Sequence, residues 1–369
     1  MTGVIAADLA LGGLVAAGWV ELDGDRVAGA GHGDPPRAAG ERLDGVLAPG
    51  FCDLQVNGGC GHEVGADAEA LDAIDAEQLA HGVTRYLPTL VSPDDATAES
   101  ALELLSGRVA DARSPVAGVH AEGPFLSPEH AGMHPRERLS VPADGIPAWL
   151  DHPAIRLVTI APELPGALEL ITRLRARGVA VALGHSGAGA ETVGAAIDAG
   201  ASVVTHVFNG MGALHHRAPG LAGAALVDDR VQVTVIADGV HVDPLVLELV
   251  RRAAGPRAVL VTDATPLAGA AGDRAVMAGV RIERGPDGAA HTADGRLAGS
   301  ALTLDTAVRN WATMTAATLG QAIHAAAEAP AAAAGLPGGL TPGARADVVL
   351  LARDGRVRRT MHAGRWLDR

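Results

Sequence analysis

Thr205-His206-Val207-Phe208-Asn209-Gly210-Met211 is the stretch on which the reading of the fold turns: an apolar run, 201–205, closes on a histidine that opens directly onto a polar loop. Three further apolar runs end the same way. Residues 116–119 lead into His120-Ala121-Glu122-Gly123-Pro124, 179–183 into Gly184-His185-Ser186, and 259–261 into Thr262-Asp263-Ala264. Four strand ends therefore carry two imidazoles and two carboxylates, and on one rim they would make the layout of a metal-dependent hydrolase.

Working outward, Val/Ile/Leu-rich runs recur at 52–57, 83–87, 116–121, 156–160, 179–183, 201–205, 232–237 and 258–261. Amphipathic helical patterns fill most of the gaps, at 68–81, 96–112, 166–177, 191–199 and 244–254. Eight nearly continuous apolar strands alternating with helices predict a parallel sheet buried on both faces, a (β/α)8 TIM-type barrel in the α/β class. The ends differ. Short alternating pieces up to about Pro49, with Asp23-Gly24 as a turn, are matched from about Leu340 by 346–351, the turn Asp354-Gly355, and 357–362. The expectation is a small β-sandwich domain built from both termini, 1–49 and 340–369, flanking a barrel over 50–339. The turn-rich segment 272–299 is expected as a hairpin near the barrel mouth, and the alanine-rich 325–335 as a packed or solvated helix with no chemical role.

Composition bounds the function. The 369 residues are 48% hydrophobic, enough for one large core and a small one. No lysine occurs, so all 29 basic residues are arginine, and the net charge of −14 argues against nucleic acid as a partner. No run reaches the roughly 18 apolar residues of a membrane span. The start lacks the charge pattern of a secretory signal, and Cys52 and Cys60 match neither a disulfide framework nor a paired zinc motif. These features point to a cytoplasmic protein with a small-molecule substrate and no membrane partner.

On such a barrel the reacting groups stand on loops after the strands. Glu122, His185, His206 and Asp263 all do. Two histidines and one carboxylate suit a divalent ion such as zinc and leave coordination open for water. Taken singly, each has a plainer reading: a hydrogen-bonded strand-end histidine, or a helix-capping Glu122 or Asp263. His120 shares a strand face with Glu122 and would back the site. Gln55 and Asn57 point into the mouth, but neither side chain is a strong zinc ligand, so one metal is predicted rather than two.

Beyond these residues, the chain resembles the amidohydrolase superfamily and, within it, the N-acetylglucosamine-6-phosphate deacetylase family. The resemblance is carried across nearly the whole chain by Pro49-Gly50-Phe51-Cys52-Asp53-Leu54-Gln55-Val56-Asn57-Gly58, His120-Ala121-Glu122-Gly123-Pro124-Phe125, Gly184-His185-Ser186, the stretch quoted at the outset, Ala237-Asp238-Gly239-Val240-His241-Val242, Val261-Thr262-Asp263-Ala264-Thr265 and Leu297-Ala298-Gly299-Ser300. It implies metal ligands at Glu122, His185 and His206, with Asp263 as general acid/base. Zinc is the implied ion, and iron or cobalt are alternatives. Substrate contacts are implied at Met133, His134, Asn209, Gly210, Arg217, Asp238, Gly239, Val240, His241, Leu297, Ala298 and Gly299, with Arg217 and His241 for a phosphate and a homodimer as the assembly. The implied reaction is hydrolysis of the acetamido group of N-acetyl-D-glucosamine 6-phosphate. The galactosamine epimer, a cyclic amide, or a catalytically silent sugar-phosphate sensor stand as rivals. Two positions depart from the family pattern: Gly210 stands where alanine is common, and Ala121 where leucine is.

Overall fold

The computed structural model describes residues 2–367 and contains the eight-stranded parallel barrel. Its strands are Phe51–Val56, Val83–Val91, Val119–Glu122, Ile155–Ile160, Ala180–Leu183, Val203–Val204, Gln232–Ile236 and Ala258–Val261, hydrogen-bonded in chain order. All eight predicted runs are strands. The second extends four residues past its predicted end, and the sixth shrinks to two residues because the chain turns early to present His206. Helices follow where polar caps start them: Asp67 accepts from the Glu69 and Ala70 amides, Asp94 from Thr97, and Asp243 from Leu245 with Pro244 in the first turn. After the third strand no α-helix forms. Residues 123–154 instead carry four short 3-10 turns, in a segment that holds Pro124, Pro128, Pro135, Pro142 and Pro147 and so cannot sustain an interior helical ladder.

Both chain ends meet in one mixed seven-stranded sheet made of Gly3–Leu11, Leu14–Asp23, Arg26–His32, Glu41–Pro49, Val348–Leu351, Val357–His362 and Arg365–Trp366. The sheet curls on itself. Its far edge strand, Arg26–His32, pairs with the segment leading into Val348–Leu351 through Val27 N to Ala344 O (2.9 Å) and Ala346 N to Asp25 O (2.8 Å). The two layers enclose Ile5, Leu9, Val20, Leu22, Val27, Leu47, Val348, Leu350 and Met361, a core separate from that of the barrel. The opposite face of the same strands, including Ala10, Val46, Ala48, Val349 and Leu351, packs into the barrel core. That alternation follows from the two-residue period of a strand.

The barrel closes unevenly. Between its first and eighth strands a single parallel bridge, Val56 to Ala264, stands in for a ladder. The seam is supplemented by Asn57 N to Ala264 O at 2.8 Å and by the buried Asp53 carboxylate, which accepts the Thr262 hydroxyl at 2.6 Å and its amide at 3.3 Å. Outside, the alanine-rich helix Leu319–Ala333, opened by a Thr318/Gln321 capping box, packs against both seam strands and the small sheet. It is thus the packed alternative of the two expected for this segment; its alanine side chains allow a close approach to the strands. The turn-rich insert is a three-stranded sheet, Arg274–Met277, Val280–Arg284 and Ala290–Thr292, rather than a simple hairpin. Its apolar side packs with Leu267, Ala298 and Met133 beside the barrel mouth. Among the described residues no helix is long and apolar enough to cross a membrane.

Candidate active site

Glu122 ends a barrel strand, His185, His206 and Asp263 each stand two residues past the end of one, and all four are buried at the C-terminal mouth. Glu122 Oε1 lies 3.2 Å from His185 Nε2 and 3.0 Å from His206 Nε2, while the two Nε2 atoms are 3.2 Å apart. Three of these residues sit in left-handed backbone: His185 at φ 49°, His206 at φ 28° and Asp263 at φ 50°. Such a conformation costs a non-glycine residue about 1–3 kcal/mol and gathers at functional sites. Here it turns each side chain off its strand and into the mouth.

The donor set fits a metal ion on geometry alone. His185 Nδ1 lies 2.8 Å from the carbonyl oxygen of His130, which can only accept, so Nδ1 carries a proton and the Nε2 lone pair is the one left for a metal. That lone pair faces a carboxylate oxygen and a second imidazole nitrogen at hydrogen-bond distance. Positive charge is needed among the three atoms, as a bound cation or as added protons. Among the described residues Glu122, His185 and His206 are the one cluster of His, Cys, Asp or Glu side chains close enough to share an ion. In the absence of an ion, burial works to raise the Glu122 carboxyl but is outweighed by the His185 and His206 hydrogen bonds, which hold it well below the usual range.

Asp263 is held by two amides. Gln55 Nε2 donates to Asp263 Oδ1 at 2.9 Å and to Glu122 Oε1 at 3.0 Å, so one carboxamide bridges the two carboxylates. Asn57 Nδ2 donates to the same Oδ1 at 2.7 Å. Burial, and then the charge of Glu122, raise the Asp263 carboxyl above its ordinary value. Beneath them Asp53, with no exposed surface, is raised to about 7, chiefly by burial. His120 is buried too, 2.8 Å from Thr159 Oγ1, and its ring is lowered to about 4 by burial. It packs behind the cluster, with the Thr159 and Thr89 hydroxyls as its partners.

The cleft above these groups is small, about 130 Å³, against the roughly 300–1,000 Å³ usual for small-ligand sites. Of the residues singled out in the sequence, Met133, His134, Asn209, Gly210, His241, Leu297 and Gly299 line it with the four strand-end groups. His241 is fixed by Asp238, whose carboxylate accepts the ring Nδ1 at 2.6 Å and the Val240 and His241 amides at 2.9 and 2.8 Å. Asp238, Gly239 and Val240 shape that loop and are not on the lining. Ala298 is fully buried in the insert's core. Arg217 is not brought in: it lies on the exposed stretch 213–219, 2.9 Å from the neighbouring His216 ring. Its guanidinium bonds the His216 Nε2 at 2.9 Å and its amide donates to His215 Nδ1 at 3.3 Å, contacts that hold it on the loop and away from the cleft. Asn57, Val91, Gly132 and Met277 complete the lining. The Gln55/Asn57 spacing signalled the first, and the position of the insert after the eighth strand could have signalled Met277.

A β/α barrel with a His/His/Glu cluster at its C-terminal mouth is the arrangement the chain presents, and its fold is similar to that of an enamidase described as a member of the amidohydrolase superfamily, at a TM-score of 0.58 and 17% identity. No family model matches the chain. Individual proteins match it over most of their length. It is 39% identical over 326 residues to the N-acetylgalactosamine-6-phosphate deacetylase of Escherichia coli O157:H7, covering 86% of both chains. It is 37% identical over 354 residues to the human N-acetylglucosamine-6-phosphate deacetylase, covering 89% of this chain and 85% of the other. Among solved structures, an aspartate-to-alanine variant of the Mycobacterium smegmatis N-acetyl-D-glucosamine-6-phosphate deacetylase, in complex with N-acetyl-D-glucosamine-6-phosphate, superposes with a TM-score of 0.91 at 34% identity over 99% of both chains. The chain belongs to this family of amino-sugar-phosphate deacetylases.

Proposed function

We propose that the enzyme hydrolyses the acetamido bond of N-acetyl-D-glucosamine 6-phosphate, releasing acetate and D-glucosamine 6-phosphate in amino-sugar catabolism and recycling. The observation that carries this reading is the convergence of Glu122, His185 and His206 with the amide-tethered carboxylate of Asp263 on one cleft. A divalent ion held by Glu122, His185 and His206, zinc by its taste for imidazole and carboxylate with iron or cobalt as alternatives, would supply Lewis acidity at the amide carbonyl and acidify the attacking water.

Asp263 is the general acid/base. Two amide donors occupy its Oδ1, so Oδ2 takes the proton from water as the C–O bond forms and returns it to the sugar nitrogen as the C–N bond breaks. A carboxyl raised by burial suits a group that must hold this proton between the two steps. His134 Nε2 lies 3.8 Å from Glu122 Oε2 and stabilises the charge growing on the carbonyl oxygen by donating a hydrogen bond. Asn209, Gly210, Met133, Leu297 and Gly299 hold the sugar, and Asp238, Gly239, Val240 and Ala298 set the shape of the loops that bear them. His241 and Arg217 take the phosphate. For Arg217 this requires the 213–219 loop to fold inward or to reach a neighbouring copy's cleft, and a cytoplasmic homodimer is the assembly that uses it.

A second reading has its own support in the 39% identity to an N-acetylgalactosamine-6-phosphate deacetylase. Acetate release from both phosphorylated epimers and ring opening of a hydantoin, assayed on protein whose metal content has been measured, decides between them. Preferential turnover of the glucosamine derivative is expected. Preference for the galactosamine epimer would reassign the substrate, and activity on the hydantoin alone would overturn the reaction.

A further inference from the structure

Ser92 immediately follows the second barrel strand, has no exposed surface, and adopts a left-handed backbone at φ 37°. Its hydroxyl oxygen lies 2.8 Å from Nδ1 of His134, and its amide donates to the Glu122 carbonyl at 2.9 Å. We propose that Ser92 is a positioning residue for the hydrolytic reaction, donating its hydroxyl proton to His134 Nδ1 and so holding the tautomer whose Nε2 carries the proton at the wall of the cleft.

Two independent features set the direction of that hydrogen bond. The hydroxyl has one other acceptor within reach, the Glu122 carbonyl at 3.4 Å, a contact at the limit of a hydrogen bond, so the 2.8 Å path to Nδ1 takes the proton. At the far side of the ring, Nε2 faces Glu122 Oε2 at 3.8 Å, where an N–H is attracted and a lone pair would be repelled. Both ends of the imidazole therefore require the same tautomer. Space around the hydroxyl is tight: a Cβ placed on Gly123, at φ 84°, would come within 2.5 Å of Ser92 Oγ. The hydroxyl is fixed by packing as well as by its bond.

The consequence is a preset donor. A His134 free to exchange tautomers would present its Nε2 lone pair to the substrate carbonyl for part of the time, which repels the developing oxyanion. With the proton locked on Nε2, no reorganisation is needed as charge grows. The use of this N–H rests on the deacetylase reading; the tautomer does not.

The test begins with the wild-type protein carrying its metal and 15N-labelled histidine. A long-range proton–nitrogen correlation spectrum, with His134 identified by its loss in His134→Gln, is expected to show a bare Nδ1 and a protonated Nε2. A proton on Nδ1 overturns the proposal. The Ser92→Gly variant removes the hydroxyl at a position whose backbone favours glycine. It is expected to melt close to wild type and retain its metal, while kcat on N-acetyl-D-glucosamine 6-phosphate falls about tenfold to a hundredfold, as for other groups that orient reacting side chains, with KM little changed. In a His134→Gln background Ser92→Gly should change kcat no further; an equal loss in both backgrounds would show that Ser92 does not act through His134. A wild-type protein with the expected tautomer but no deacetylation would sink the deacetylase reading and leave the Ser92 assignment standing.

Discussion

The two walls of the cleft are built on different principles. One wall is the strand-end cluster, where Glu122, His185, His206, Asp263, Gln55 and Asn57 are buried and joined by a chain of hydrogen bonds between 2.7 and 3.2 Å. The other is the stretch after His206, which begins with Asn209 and Gly210 on the lining and runs out to Arg217 in solvent. The first wall is preorganised before anything binds. The second is an exposed loop, an element able to adjust, and on the proposed function the first wall would break the bond while the second would meet the charged end of the substrate.

The contrast can be broken most sharply at Asp263. Asp263→Asn should retain metal, because the residue is outside the Glu122/His185/His206 cluster, yet lose about a hundredfold or more in kcat. Elemental analysis alongside steady-state kinetics checks this, and wild-type turnover would remove Asp263 from the reaction. A smaller effect is expected from Gln55→Leu, which cuts the bridge between the two carboxylates: about tenfold to a hundredfold in kcat, with some loss of metal affinity visible on titration with a chelator. On the adjustable wall, Arg217→Ala should raise KM for the phosphorylated sugar about tenfold, leaving kcat and the unphosphorylated sugar almost unchanged. Equal changes for the two sugars would place the phosphate elsewhere.

The smallest effect concerns stability at the seam. His81, at the end of the helix Ala68–Ala80, bonds Asp305 of the helix Leu304–Met314 at 2.9 Å and Glu77 at 3.1 Å, clasping the helices on either side of the seam. Burial lowers its ring, but the Asp305 and Glu77 hydrogen bonds outweigh this and raise it from 6.5 to about 9. Because the folded value lies above the unfolded one, the stabilisation is complete below about pH 6.5 and disappears as pH rises through about 9. Thermal melts of wild type and His81→Gln should therefore differ most near pH 6 and converge above pH 9. A constant gap across that range would mean that His81 contributes by packing alone.

Much of the rigid wall was legible in the sequence because its residues close apolar runs. Glu122, His185, His206 and Asp263 are each announced by the strand before them, and the period of the strands and helices announces the barrel. The segment 123–154 was less legible, since its prolines exclude a helix without saying what replaces it. Ser92 was invisible as a partner for His134, 42 residues away in sequence and joined only when the second and third strands lie side by side. Arg217 shows the opposite failure. The motif names the residue, but in the single chain its side chain stays exposed on the 213–219 loop. The curled sheet of the chain ends was foreseen in its strands but not in its edge-to-edge closure, which depends on pairing between residues more than 300 positions apart.

The left-handed backbone at His185, His206 and Asp263 has an evolutionary corollary. At each position the fold would relax if glycine or asparagine replaced the side chain, so on the proposed mechanism selection for stability and selection for turnover pull in opposite directions at the same codons. Descendants relieved of their catalytic duty should drift first at these three sites, gaining robustness as they lose chemistry. A paralogue carrying small or amide residues there would be a retired enzyme, recognisable before any assay.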